Sequence, residues 1–155
     1  MVSEKIGGTR YSFAQPMYTM LASIGFEFKS PEWAGLKETP IPGLDKSPRQ
    51  MLQTLGTEWG RNQVCADFWI MMADLRLVNG TKLIISDVRF ENEATWVRKN
   101  GILLHVTRPD TLGVSPHTSE NGIEANDRDI LISNAGSLVD LNRLVNLMVD
   151  HVFVP

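Results

Sequence analysis

The stretch Leu83-Ile84-Ile85-Ser86-Asp87-Val88-Arg89-Phe90-Glu91-Asn92-Glu93 decides how this chain is read. Three apolar residues in a row predict a strand covered on both faces, as in a parallel sheet. The polar residues that follow predict a turn and then a helix that opens with acids, favourable against the helix dipole. In open α/β sheets, ligands bind just beyond the carboxyl ends of the strands. Asp87, Arg89 and Glu93 are therefore placed where a ligand belongs. A guanidinium between two carboxylates suits a substrate with a phosphate and hydroxyls. The same residues also fit a plain helix start with one surface arginine, and the stretch alone leaves both readings open.

Outward from it, strands and helices alternate. Residues 10–13 predict a short strand. Pro16 suits a first helical turn, and Met17, Met20, Leu21 and Ile24 give that helix an apolar face, stopped by Gly25. Residues 26–46, with Pro31, Pro40 and Pro42, predict a long loop, which in a compact domain is often functional. Ser47-Pro48-Arg49-Gln50 is a capping box with proline at the first helical position, opening a helix to about Leu55. A second helix is expected from about Asn62 to Val78. After the 83–86 strand come a helix over about 91–99 and a strand over 102–107. A polar, lid-like loop over 109–127, a short strand over 130–133 and a final helix capped at Ser137 follow. That last helix has Leu138, Leu141, Leu144, Val145 and Met148 on one face. The pattern is that of an α/β fold with a mainly parallel sheet.

Composition narrows the function. The 155 residues are about one domain's worth, expected as a single unit over 1–155, with 43% hydrophobic and 21% charged residues. A net charge of −3 without a basic block argues against general nucleic-acid binding. The single cysteine, Cys65, permits no internal disulfide and is expected in the core. No run is long enough to span a membrane, and residues 1–8 lack the apolar core of a signal peptide, so a cytoplasmic protein is expected. No second histidine or cysteine stands at metal-ligand spacing, so no metal site is expected. Arg108 ends a strand, where it either points to the ligand edge or is a surface arginine before a loop. His117, Ser119 and Glu120 lie in the polar loop. Trp59, Arg61 and Trp69 accompany the middle helices, where a tryptophan either packs in a core or stacks a base. Asn134-Ala135-Gly136-Ser137 is a strand-to-helix turn. Asp127 and Asp129 have no evident partner in the sequence.

These pieces, in this order, resemble the bacteriophage deoxynucleoside monophosphate kinases, a family of the P-loop nucleotide-kinase fold. The resemblance runs over about residues 10–150. It is carried by Phe13-Ala14-Gln15-Pro16, by Arg49 to Thr57 with the helix at Trp69, and by Asp87-Val88-Arg89-Phe90 with Glu93. It continues through His105-Val106-Thr107-Arg108-Pro109, His117-Thr118-Ser119-Glu120 and Ser133 to Ser137. It implies a three-layer parallel sheet with flanking helices. It also implies transfer of a phosphoryl group from ATP, with magnesium, to a deoxynucleoside monophosphate. By the resemblance, Asp87, Arg89 and Glu93 would bind the acceptor nucleotide or place its phosphate, and Arg61 and Trp69 would help hold the monophosphate. Arg108, His117, Ser119 and Glu120 would belong to the lid side, and Asn134 to the donor side.

The chain departs from the family at its start. The family's first strand and Gly-rich phosphate loop have no counterpart, because no G-x-x-x-x-G-K-[ST] occurs in these residues. Tyr18 stands where family members often carry a basic residue. Without phosphate-cradling amides and a lysine, this chain alone is expected to be inactive. The absent strand is, by resemblance, the centre of the sheet. Its place is expected to be filled by a rearranged sheet, by the first eight residues or by another chain. A homo-oligomer or a complex with a host protein is accordingly expected. The rival reading is a non-catalytic, phage-encoded nucleotide- or protein-binding regulator of a host protein.

Overall fold

The structure is a computed structural model that describes residues 5–77, 81–108 and 122–153. Its elements are β1 (Thr9–Tyr11), α1 (Gln15–Ser23), α2 (Pro48–Gln53), α3 (Phe68–Asp74), β2 (Leu83–Ile85), α4 (Glu91–Asn100), β3 (Leu104–Thr107), β4 (Ile130–Ser133) and α5 (Leu138–Phe153). They divide into two compact units, one of residues 11–78 and one of residues 1–10 with 79–155.

The first unit is helical. Pro16 sits in the first turn of α1, and Met17 and Leu21, one turn apart, are its buried residues. Gly25 ends it with a left-handed φ of 97°, a conformation that costs glycine nothing. The long loop carries a single 3-10 turn, Pro31–Trp33. It builds a small aromatic cluster in which Phe28 lies 5.6 Å from Phe26 and 4.9 Å from Trp33. From the same loop Lys29 Nζ stands 4.5 Å from the centroid of the Tyr18 ring. A cation therefore occupies the neighbourhood of Tyr18 although the helix residue itself is not basic. The predicted capping box is present: Gln50 N–H donates to Ser47 Oγ, and Ser47 N–H donates to Gln50 Oε1.

Beyond the cap the structure differs from expectation. Instead of stopping near Leu55, α2 runs directly into an eleven-residue π-helix, Thr54–Val64. Gly56 and Gly60 are buried contact points of this wider helix. A Cβ on Gly56 would lie 2.7 Å from Met17 Sδ, and one on Gly60 would lie 2.7 Å from the Trp69 ring. The bare glycine backbone lets both side chains come close. Cys65 follows the helix in an extended conformation and is exposed, not buried as expected. The chain is extended at Cys65, outside both helices, and a cysteine between elements has no apolar face to share.

The second unit holds the strands. β1 pairs with β2, and β3 pairs with β4 in parallel, with Leu104 opposite Ile130 and Val106 opposite Ile132. Gly8 permits the first pairing, since a Cβ there would meet Ile84 Cδ1 at 2.8 Å. α5 covers the second ribbon. Val145 and Val149 pack on Ile132, and Ile6, Leu104, Ile130, Leu141 and Met148 close around them. Leu138 and Leu144, expected on the same apolar face, are exposed. The buried stripe runs through Leu141, Val145, Met148 and Val149, the i, i+4, i+7, i+8 spacing of one helical face.

The fold is thus α/β, with short parallel strands and flanking helices, but among the described residues the four strands form two separate ribbons and no continuous sheet. β2 and β3 are not neighbours. Among the described residues no strand stands between them. Lys5 and Ile6 do not supply one, since they are helical. They pack on α5 instead, with Lys5 paired to Asp150 at 2.8 Å. Val106 is left 53% exposed and Leu131 65% exposed.

Candidate functional site

β2 delivers the chain to Ser86, and the turn that follows reaches α4 at Glu91. Asp87 is half-buried and Arg89 is exposed. Both stand immediately beyond the carboxyl end of β2, as the sequence predicts. Glu93 behaves differently. It is 1% exposed, and its Oε2 accepts the backbone N–H groups of Arg89 at 2.8 Å and Phe90 at 3.2 Å. Expected among the substrate-binding side chains, Glu93 instead folds back from the third position of α4 onto the amides that precede the helix. The physical reason is local: the first amides of a helix lack intrahelical partners, and a glutamate at this position reaches them.

Arg108 is exposed just past the end of β3. Asn134 is half-buried just past β4, and its N–H donates to the Thr107 carbonyl at 2.7 Å, carrying the parallel ladder one step beyond the strands. In the next turn Ser137 caps α5 with Asp140. Asp140 Oδ2 accepts from the Ser137 hydroxyl at 2.7 Å and from its N–H at 2.9 Å. These bonds to Ser137 hold the Asp140 carboxyl below the usual carboxylate range. His117, Ser119 and Glu120 lie outside the described residues.

Arg61 and Trp69 belong to the helical unit. Arg61 is half-buried near the end of the π-helix. Trp69, left by the sequence between core packing and stacking a base and placed by the resemblance beside the monophosphate, is fully buried. Its Nε1–H donates to the Gly56 carbonyl at 2.8 Å, and Phe68 packs against it at 4.8 Å with Trp59 at 6.4 Å. Its ring edge rests on Gly60. A ring enclosed in this way offers no face to a base, so Trp69 is a core residue.

The sequence did not reveal the strongest polar assembly of the second unit. Arg98, on α4, grips Asp129 through Nε at 3.1 Å and Nη2 at 2.7 Å. The same guanidinium reaches Glu91 at 2.5 Å and the Glu124 carbonyl at 2.7 Å. Asp129 also accepts the Asn126 N–H and lies 3.0 Å from His105 Nε2 on β3. The Asp129 side chain is 1% exposed. The Arg98 hydrogen bond, above all, pulls its carboxyl far below the usual range, and Asp129 in turn raises the Arg98 guanidinium. This bidentate pair ties α4 to the segment that leads into β4. It is spent on structure: each of the three guanidinium nitrogens of Arg98 is engaged by a partner within the unit. Nothing local marks it in the sequence, because the partners are far apart along the chain. Beside it, an open depression of about 670 Å³ is lined by Lys99, Ile102, Asn126 and Arg128. It lies at the amino ends of β3 and β4, the opposite edge from Arg108 and Asn134.

A family model for deoxynucleotide monophosphate kinase matches residues 36–145. The chain belongs to that family. The matched span contains Asp87, Arg89, Glu93, Arg61, Trp69, Arg108 and Asn134. Among relatives, a deoxynucleoside-5'-monophosphate kinase of Escherichia phage T5 is 33% identical over 99 residues, covering 57% of this chain and 40% of the relative. A deoxynucleotide monophosphate kinase of Enterobacteria phage T4 is 30% identical over 101 residues, covering 61% of this chain and 42% of the relative. A protein of Acanthamoeba polyphaga mimivirus, provisionally described as a deoxynucleotide monophosphate kinase, is 26% identical over 167 residues, or 96% of this chain and 86% of its own length. The aligned part thus spans about two fifths of the phage relatives. Among the described residues, no helix is long and apolar enough to cross a membrane, and no cluster of three or more metal-ligating side chains occurs.

Proposed function

We propose that this kinase-family chain binds a deoxynucleoside monophosphate at the carboxyl ends of its strands, with Arg89 on the phosphate and Asp87 beside the sugar or a cation. The observation that carries the reading is the placement of Asp87 and Arg89, inside the matched span, directly beyond β2. An exposed guanidinium on a turn that is held from beneath is suited to bidentate contact with a phosphate. Arg108 and Asn134, just beyond β3 and β4, would face the same ligand edge if the two ribbons flank a common central strand.

Phosphoryl transfer in this fold depends on cations and amides around the donor phosphates. Those parts, with the strand that would join β2 to β3, are sought outside the described residues, on a further stretch of polypeptide or a second chain. Magnesium usually arrives on nucleotide phosphates and needs only one or two protein carboxylates, so Asp87 fits that role without a preformed cluster. The protein would then work where deoxynucleotides are made, in the host cytoplasm.

Two measurements test this. In calorimetry with each deoxynucleoside monophosphate, Arg89→Ala should weaken binding by about 1.5–3 kcal/mol, the worth of a charge-assisted hydrogen bond. With ATP, magnesium and each monophosphate, the 155-residue chain alone should form no diphosphate. Sustained turnover overturns the claim that the donor half lies elsewhere. A wild-type chain that binds no monophosphate at millimolar concentration favours the regulator reading.

A further inference from the structure

We infer that Glu93 is a positioning residue for Arg89, acting through the backbone of the turn and not on the ligand. The inference rests on the proposed nucleotide reading only for its consequence; its structural half stands alone. Arg89 is exposed on the turn between β2 and α4, and its neighbours Val88 and Phe90 are half-buried. One carboxylate oxygen beneath it accepts two successive amides, those of Arg89 and Phe90. Glu93 is rooted in the first turn of α4, at a buried position next to Ala94, which is fully buried. The anchor therefore cannot shift without moving the helix, and it fixes the direction in which the Arg89 side chain leaves the backbone. α4 is itself fastened at its other end by Arg98 to Asp129.

An acceptor pointing at two amides has a plain chemical signature. A glutamine in its place keeps an oxygen for both N–H groups, whereas an alanine keeps none. A residue that used its negative charge, on a bound cation for instance, would not be rescued by glutamine.

The experiment measures amide hydrogen exchange at Arg89 and Phe90 in the wild-type chain, Glu93→Gln and Glu93→Ala, alongside monophosphate affinity. Both amides are expected to be protected in the wild type and in Glu93→Gln, and to exchange at least about tenfold faster in Glu93→Ala. Affinity is expected to stay near wild type in Glu93→Gln and to fall about ten- to a hundredfold in Glu93→Ala, the usual effect of losing a supporting shell. In an Arg89→Ala background, Glu93→Ala should cost no further affinity, because its effect passes through Arg89. Unprotected amides in the wild type overturn the inference, even if Glu93→Ala fails to fold. So does equal loss of affinity in Glu93→Gln and Glu93→Ala with protection intact, which would make Glu93 a ligand contact. Absence of any monophosphate binding overturns the nucleotide reading, while the exchange comparison still decides whether Glu93 holds the turn.

Discussion

Replacing Gly60 with alanine should destabilise the helical unit, although alanine is the better helix former. Helix propensity favours the change by about 1 kcal/mol. Against it stands the Trp69 ring: the new Cβ would lie 2.7–2.8 Å from Cζ2, Cε2 and Nε1, closer than carbon contacts allow. The ring cannot easily retreat. It is fully buried, its Nε1–H is held by the Gly56 carbonyl, and Phe68 and Trp59 pack against it. Overpacking of this kind costs about 1–3 kcal/mol, and a displaced indole forfeits about 1 kcal/mol more from its hydrogen bond. The balance is a loss of about 1–3 kcal/mol. At about 2–4 °C per kcal/mol for a chain of this size, the melting temperature should fall by about 2–12 °C. Thermal unfolding followed by tryptophan fluorescence and far-UV circular dichroism measures it. Monophosphate affinity below the transition should be unchanged, which separates a core role for Trp69 from a stacking role. A melting temperature equal to or above wild type would refute the close seating of Trp69 on Gly60, and lost affinity without lost stability would return Trp69 to the ligand.

Val149→Ala, at a fully buried position of α5 against Ile132 and Val145, should cost about 2 kcal/mol in denaturant unfolding; a loss under about 0.5 kcal/mol would show that α5 is not firmly seated. Asp129→Asn should destabilise most at neutral pH. The folded-state pKa of Asp129 lies below its ordinary value of 3.8, so the stability it contributes is present above that value and fades as pH falls through the folded one. The gap in melting temperature between wild type and Asp129→Asn should therefore narrow below about pH 4, and a gap of constant size from pH 7 to pH 3 contradicts the pairing with Arg98. The Arg98 shift is upward from an already high value and adds no pH dependence in that range.

The local signals of this chain were legible because they depend on neighbours in sequence. The capping box at Ser47 and Gln50, the proline-led α1 with its glycine stop, the β2 strand and the cap at Ser137 and Asp140 all form as the residue order predicts. Each is satisfied within a turn or two of backbone. The alternation of strands and helices made an α/β fold with parallel strands legible, but that β3 pairs with β4 came from the structure. The family was legible too, from an ordered series of short motifs, any one of which is weak alone.

What only the tertiary structure decided lies where partners are distant or where geometry departs from the common menu. The sequence placed a gap between helices from about Leu55 to Asn62, yet Gly56 and Gly60 let a π-helix there close on Met17 and Trp69, because a missing Cβ is useful only once the opposing side chain is known. Cys65 read as core and is exposed, since a residue type does not reveal a break between helices. Trp69 could pack or stack on sequence grounds, and burial on every side settled it as core. Glu93 read as a ligand contact; its side chain turned to its own backbone, where two helix-start amides needed an acceptor. Arg98, Asp129 and His105 lie on separate elements, and no periodicity links them. Their union required the fold to exist first, because a buried carboxylate is tolerable only beside the guanidinium that the folded chain brings to it.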